Sequence, residues 1–186
     1  MYVRGVKLQI LFVCTGNICR SPTAERLALL LGDQLQIQDF SSSSAGTRAM
    51  IDHPIHPDAA TVIEEMGGSA ANFAARQLTR RIASSADLVL AMTLEHRDAV
   101  LDRAPQKLNR TFTIAEAARL ASEFGAQTVA DLAVLRGQLK ASELFDVPDP
   151  IGQPREVFAS IGTQIADLLL PILELCQRSG SLGRLS

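Results

Sequence analysis

Apolar positions along the chain alternate between two patterns, short dense runs and stripes at helical spacing. Leu8–Val13 (LQILFV) is a dense run with β-branched and aromatic members, the form of a parallel strand covered on both faces. Asp87–Met92 (DLVLAM) predicts another strand of that kind, and weaker runs predict two more, within Ile37–Ser43 and at Leu108–Ile114. Helices are expected between them. Ala24, Leu27, Ala28 and Leu31 recur at helical spacing behind Pro22, with Ser21 as the cap and Gly32 as the stop. Pro57–Met66 predicts a second helix ended by Gly67 and Gly68, and Phe73–Thr79 leads into a short one at Arg80 and Arg81. Thr93 caps a helix through Leu101 that Pro105 closes, and Ala115–Phe124 and Thr128–Leu139 are helical in composition around Gly125. Phe158, Ile161, Ile165, Leu168, Leu169 and Ile172 form the stripe of a last helix starting near Arg155, which Pro171 is expected to kink or interrupt. Two proline-bearing segments, Ser43–Pro57 and Phe145–Pro154, read as loops.

Strands alternating with helices imply right-handed crossovers and an α/β fold, a single-domain three-layer structure in which a parallel sheet carries helices on both faces. The expected domain is 1–178, with a loose leader at Met1–Val6 and a flexible C-terminal tail at 179–186. Ligands of such folds bind at the carboxyl ends of the strands, where the loop after Leu8–Val13 lies.

Composition narrows the partners more than the fold. A formal net charge of −2 over 186 residues gives no electrostatic reason to expect nucleic acid or an anionic membrane surface. The apolar stretch near the N-terminus is too short to span a bilayer and runs into Cys14 without a small-residue cleavage site. Three cysteines do not make a secreted disulfide framework, so the reducing cytoplasm is expected.

The loop from Cys14 to Ser21 (CTGNICRS) carries the chemistry. A thiol reacts as its thiolate, a form that an ordinary cysteine, with a pKa near 8.5, holds only sparingly at neutral pH. Three features here favour anions. The helix behind Pro22 points its positive end at the loop. The amides of Thr15, Gly16, Asn17, Ile18, Cys19 and Arg20 can form an anion nest. The planar fork of Arg20 matches two oxygens of a phosphoryl group. Asn17 and Ser21 can hydrogen-bond across the loop. A phosphate-type anion site is the stronger reading, and a cysteine used as a small buried apolar residue is the plainer one. A leaving oxygen also needs a proton donor. His53, His56 and His96 are candidates, each equally readable as an ordinary loop or helix residue. Asp149 lies between Pro148 and Pro150, so it is presented from a stiff loop, although a solvated turn aspartate has the same sequence.

VCTGNICRSPTAE, followed far downstream by the Asp149-Pro150 loop, resembles the low-molecular-weight protein tyrosine phosphatases. The segments SSAGTRA, ARQLT and DLVLAMT are similar to that family in the same order, so the resemblance spans Lys7–Ile114 and Phe145–Cys176. It implies a four-stranded parallel sheet and a two-step reaction with no metal or other cofactor. Cys14 would attack phosphorus, Arg20 and the loop Thr15–Ser21 would hold the phosphoryl oxygens, and Asp149 would protonate the leaving phenolate and then activate water. Ser44, with Asn17 and Ser21, would support the thiolate, and Cys19 would be a neighbour able to form a reversible disulfide with Cys14. The implied substrate is a phosphotyrosine-containing protein or a small aryl phosphate, and a cognate tyrosine kinase is a further partner candidate. The substrate rim departs from the family. Met50 stands where many members have an aromatic wall, Ile151 follows the Asp-Pro where tyrosines are common, and Phe73 stands where a histidine is expected. Residues 115–144 look longer than the family's usual connection, an added helical segment.

Two relatives share the loop. Protein arginine phosphatases tend to carry threonine where this chain has Ile18, and the missing hydroxyl favours a phenyl ring over a phosphoguanidinium. Thiol-linked arsenate reductases that resolve through an internal disulfide cascade need downstream cysteines, and Cys176 is the only one; a form using an external thiol stays open. A non-enzymatic phosphate-binding adaptor would have no use for Cys14, Arg20 and Asp149 together.

Overall fold

A computed structural model describes residues 8–182, so the expected leader at Met1–Val6 lies outside the described residues. Strands β1 (Leu8–Cys14), β2 (Phe40–Gly46), β3 (Leu88–Ala91) and β4 (Thr111–Thr113) form one parallel sheet in the order β2-β1-β3-β4. The chain leaves β1 to one side for β2 and returns to the other side for β3. The carboxyl end of β1 is therefore the topological switch point, where a ligand crevice opens.

Alternation along the strands divides the core in two. Ile10, Phe12, Leu88, Leu90 and Phe112 pack under α1 (Arg20–Gln34), α5 (Ile114–Ser122) and α7 (Arg155–Leu182). Leu11, Val13 and Val89 face the opposite way, towards Ala83 of α3 (Arg80–Ser85) and Val100 of α4 (Leu94–Arg103). A smaller cluster joins α2 (Pro57–Glu65) to Phe158 of α7 and encloses Ile55 and Cys19.

Several boundaries move for identifiable reasons. Helix α1 begins at Arg20 rather than behind Pro22, so Ser21 lies inside the first turn and is not its cap. Gly32 does not stop that helix; it makes room for Phe40, whose Cδ1 would lie 2.7 Å from a Cβ at this position. Pro105 does close α4, but it opens a 3-10 turn running to Arg110. The strand expected from Leu108 shrinks accordingly to Thr111–Thr113, leaving Leu108 54% exposed. The stretch 128–139 forms only α6 (Asp131–Leu135) and a further 3-10 turn. Helix α5 is part of the main core, with Ile114, Ala117 and Leu120 fully buried, and Val129 and Leu132 join it. The 115–132 part of the expected added segment packs as a layer of the fold.

Helix α7 continues unbroken through Pro171 for 28 residues. The missing N–H would have bonded the carbonyl of Asp167, which lies on the exposed face, while Leu169, Ile172 and Leu173 hold the buried face in place. It also runs past Ser179 to Leu182, later than the expected start of a flexible tail; residues 183–186 lie outside the described ones. By length and a mean hydropathy of 1.4 the helix could cross a membrane, but Ile161, Ile165, Leu169 and Leu173 are buried against the core beside α1 and α5.

Candidate active site

Cys14 is the last residue of β1 and only 2% exposed. After it the chain curls through Thr15–Cys19 and enters α1. The carbonyls of Cys14, Thr15, Gly16 and Ile18 all turn outward, accepting from the N–H groups of Thr47, Arg48, Met50 and His56 at 2.8–3.0 Å. In a trans peptide plane the N–H points opposite to the carbonyl, so the amides of Thr15, Gly16, Asn17 and Cys19 face the inside of the loop. Gly46, paired with Cys14 across the sheet, allows this closeness; a Cβ there would lie 2.4 Å from the Thr15 carbonyl oxygen.

Asn17 holds a left-handed backbone conformation, φ 56°, which asparagine tolerates better than most residues. Its side chain is fully used. Nδ2 donates to Ser21 Oγ (2.9 Å) and Ser44 Oγ (2.8 Å), and Oδ1 accepts from the Arg76 N–H (2.8 Å). Ser44 in turn donates to Glu25 Oε2 at 2.5 Å. Ser21 Oγ lies 3.0 Å from Cys14 Sγ. With Asn17 donating to its lone pair, the Ser21 proton is free to point at the sulfur, so the network is ordered to receive a thiolate. Burial pushes the Glu25 carboxyl up, and the Ser44 hydrogen bond with the Arg26 and Arg76 charges oppose this.

The start of α1 has no side-chain cap, a feature it shares with the short α6. Helices α2, α3, α4 and α5 are capped by the side chains of His56, Thr79, Thr93 and Thr113, whereas α1 has no capping side chain. Its first amides are left for an anion held in the loop.

Arg20 is buried. Its Nη1 donates to the Val147 carbonyl and its Nη2 to Asp149 Oδ2, both at 3.0 Å, and Nε has no partner among the described residues. Val147 is itself buried and tied by its N–H to the Met92 carbonyl, which anchors the proline-rich loop. Asp149 is half-exposed at the mouth, and its Oδ1 accepts from the Ile151 N–H. The sequence thus brings Cys14, Arg20 and Asp149 together from opposite ends of the chain. Ile18 and Met50 flank Gly16, and Met50 and Ile151 are 44% and 47% exposed, so the rim is aliphatic.

The remaining candidates separate clearly. Cys19 packs into the α2–α7 cluster, and burial pushes its thiol up to about 12; Cys14 and Cys19 are both free. Cys176 sits in the main core, and burial likewise pushes its thiol up to about 12. His53 is exposed, and His56 stacks on Phe158 with ring centroids 4.9 Å apart. His96 is buried with Nε2 2.8 Å from Thr15 Oγ1 and Nδ1 2.9 Å from Thr93 Oγ1. Glu25, Arg76 and Gln77 were not foreseen as site residues. Gln77 braces the segment behind the loop, accepting from the Ala49 N–H and donating to the Thr47 carbonyl.

Burial, and after it the charge of Arg20, pushes the His96 imidazole down to about 4; Asp146 and Asp149 pull it up and Arg48 adds to the depression. The native protein therefore keeps His96 neutral where the unfolded chain takes a proton. Its stabilising contribution is complete above about pH 6.5 and is lost as pH falls towards 4, for about 3 kcal/mol in total. Urea unfolding at pH 7 and pH 4.5 should show a drop in stability that His96→Gln markedly reduces; an identical drop in the variant would refute it.

Comparison with known proteins agrees with this geometry. Residues 9–131 match the family described as low molecular weight phosphotyrosine protein phosphatase. The low molecular weight protein-tyrosine-phosphatase Wzb of Escherichia coli K12 is 31% identical over 158 residues, 83% of this chain and 85% of the relative. A protein-arginine-phosphatase of Geobacillus stearothermophilus is 31% identical over 169 residues, 91% of this chain and 96% of the relative. Among solved structures, the low molecular weight protein tyrosine phosphatase of T. tengcongensis superposes with a TM-score of 0.73 at 30% identity, covering 90% of this chain and 98% of that one.

Proposed function

The chain belongs to the low molecular weight phosphotyrosine protein phosphatase family, and we propose from that premise that it hydrolyses phosphotyrosine and related aryl phosphates through a cysteinyl-phosphate. The observation that carries this reading is the Arg20–Asp149 pair at 3.0 Å, which joins the nucleophile loop to a loop 129 residues away. In the proposed reaction the phosphoryl dianion enters the ring of inward amides and takes up Arg20, whose buried Nε–H is a donor in reserve. Asp149, released from Arg20, stays at the mouth, where it serves as the proton donor. The Cys14 thiolate attacks phosphorus in line with the leaving oxygen. The S–P bond forms, the P–O bond to the aryl group breaks, and Asp149 gives its proton to the departing phenolate. Asp149, now a carboxylate, takes a proton from water. The water oxygen attacks phosphorus, the S–P bond breaks, and inorganic phosphate leaves with the thiolate restored.

Ile18 supports phosphotyrosine over phosphoarginine, because an aliphatic side chain beside Gly16 packs on a ring and offers a guanidinium no acceptor. The arginine phosphatase among the relatives keeps the second substrate in view. A panel of p-nitrophenyl phosphate, phosphotyrosine, phosphoarginine and arsenate with thiol tests the reading. Phosphate release from the two aryl esters is expected, and release from neither would overturn it. Ile18→Thr should shift the phosphoarginine-to-phosphotyrosine ratio of kcat/KM upward by about tenfold; an unchanged ratio refutes the role of Ile18. Cytoplasmic residence, a single catalytic unit that extends to the end of α7 and a cognate tyrosine kinase as the source of substrate complete the proposal.

A further inference from the structure

The turn from β3 into α4 touches both halves of the site, and the two-step scheme leaves it without a task. On one side, His96 reaches Thr15, the first residue of the nucleophile loop. On the other side, the Met92 carbonyl accepts from the Val147 N–H, and the Leu94 N–H donates to Asp146 Oδ1, each at 2.9 Å. Val147 also accepts from Arg20. These bonds close a ring that runs from Thr15 through His96 and the turn to Asp146–Val147, across to Arg20, and back along the nucleophile loop.

The polarity of the ring follows from its hydroxyls. Thr93 Oγ1 already accepts the His96 N–H as the cap of α4. Its own proton is then available to His96 Nδ1, and in that arrangement the imidazole carries its hydrogen on Nε2 and donates to Thr15 Oγ1. Only the neutral ring accepts at one nitrogen while donating at the other.

Resting on the phosphatase reading, we propose that His96 is a positioning residue that fixes the register between the nucleophile loop and the Asp149 loop. Its imidazole ties Thr15 to the same short turn that grips Asp146 and Val147. The distance from sulfur to the acid is then set by this strut rather than by two independent loops. Displacements of about 1 Å at a reacting centre cost on the order of 10²-fold in rate, so such a strut matters most where the acid matters most.

The test compares kcat/KM for phenyl phosphate, which needs the acid, with p-nitrophenyl phosphate, which has a good leaving group. His96→Phe, which keeps the shape and removes the donor, should lose about 10²-fold on phenyl phosphate and less than about tenfold on p-nitrophenyl phosphate. His96→Gln, whose amide nitrogen can reach Thr15, should recover most of that loss. Thr15→Val removes the same bond from the other end without disturbing the buried imidazole, and should reproduce the leaving-group dependence. The double variant should be no worse than either single one. Equal losses on both esters, or losses that multiply in the double variant, would overturn the proposal, as would full activity in His96→Phe. If His96→Phe does not fold, Thr15→Val decides alone. Failure of the phosphatase reading is a separate result, since wild type would then release no phosphate from either ester.

Discussion

Cys14→Ser is expected to remove aryl phosphate turnover by a factor on the order of 10⁴ or more while leaving the fold and anion binding in place. A serine hydroxyl at neutral pH is not ionised by the features that favour a thiolate, so the same cradle is left without its nucleophile. The substitution is nearly isosteric at a buried position, and Ser21 Oγ, 3.0 Å from the sulfur, remains a partner for the new hydroxyl. Stability should therefore change little. The measurement is steady-state hydrolysis of p-nitrophenyl phosphate beside thermal unfolding with and without inorganic phosphate. Retained turnover would remove Cys14 as the nucleophile. Loss of turnover together with loss of phosphate-induced stabilisation would point instead to a collapsed cradle.

Asp149→Ala should separate substrates by leaving group. General acid catalysis contributes about 10²- to 10⁴-fold when the leaving oxygen is strongly basic and much less when it is not. Phosphotyrosine and phenyl phosphate should thus suffer in kcat/KM by about 10²-fold or more, and p-nitrophenyl phosphate far less. The ion pair with Arg20 is not expected to complicate this through stability. Asp149 is half-exposed, and such pairs contribute about 1 kcal/mol or less. Arg20 also keeps its second anchor on the Val147 carbonyl. Equal losses for good and poor leaving groups would rule Asp149 out as the acid.

What the sequence made legible depended on how far a signal had to reach. Cys14, the loop and Arg20 are contiguous, so one strand, one polar turn and one helix start express them together. The two prolines flanking Asp149 mark only a stiffly held carboxylate, and its role as acid came from the resemblance to the phosphatase family. Glu25, Arg76 and Gln77 carry no such local signature. Each is polar on an ordinary stretch and acquires its meaning from partners across the sheet, as when the Arg76 N–H meets Asn17, 59 residues away. His96 was noticed for its titratable ring, yet its partner Thr15 lies 81 residues away, so its task was hidden and a proton-donor role was considered instead. The short strand β4 and the unbroken α7 misled for the opposite reason. Local rules expected a strand from Leu108 and a kink or interruption at Pro171: a 3-10 turn absorbed the start of the former, and burial on both sides of the proline keeps the helix uninterrupted despite one missing hydrogen bond.

The bare start of α1 has a consequence for turnover. In the proposed reaction a dianion completes that helix, and substrate, cysteinyl intermediate and released phosphate each supply one. On that reading the cradle binds the transferred group whatever is attached to it. On the proposed reading, inhibition by inorganic phosphate is expected, and discrimination among substrates would fall to Ile18, Met50 and Ile151 at the rim.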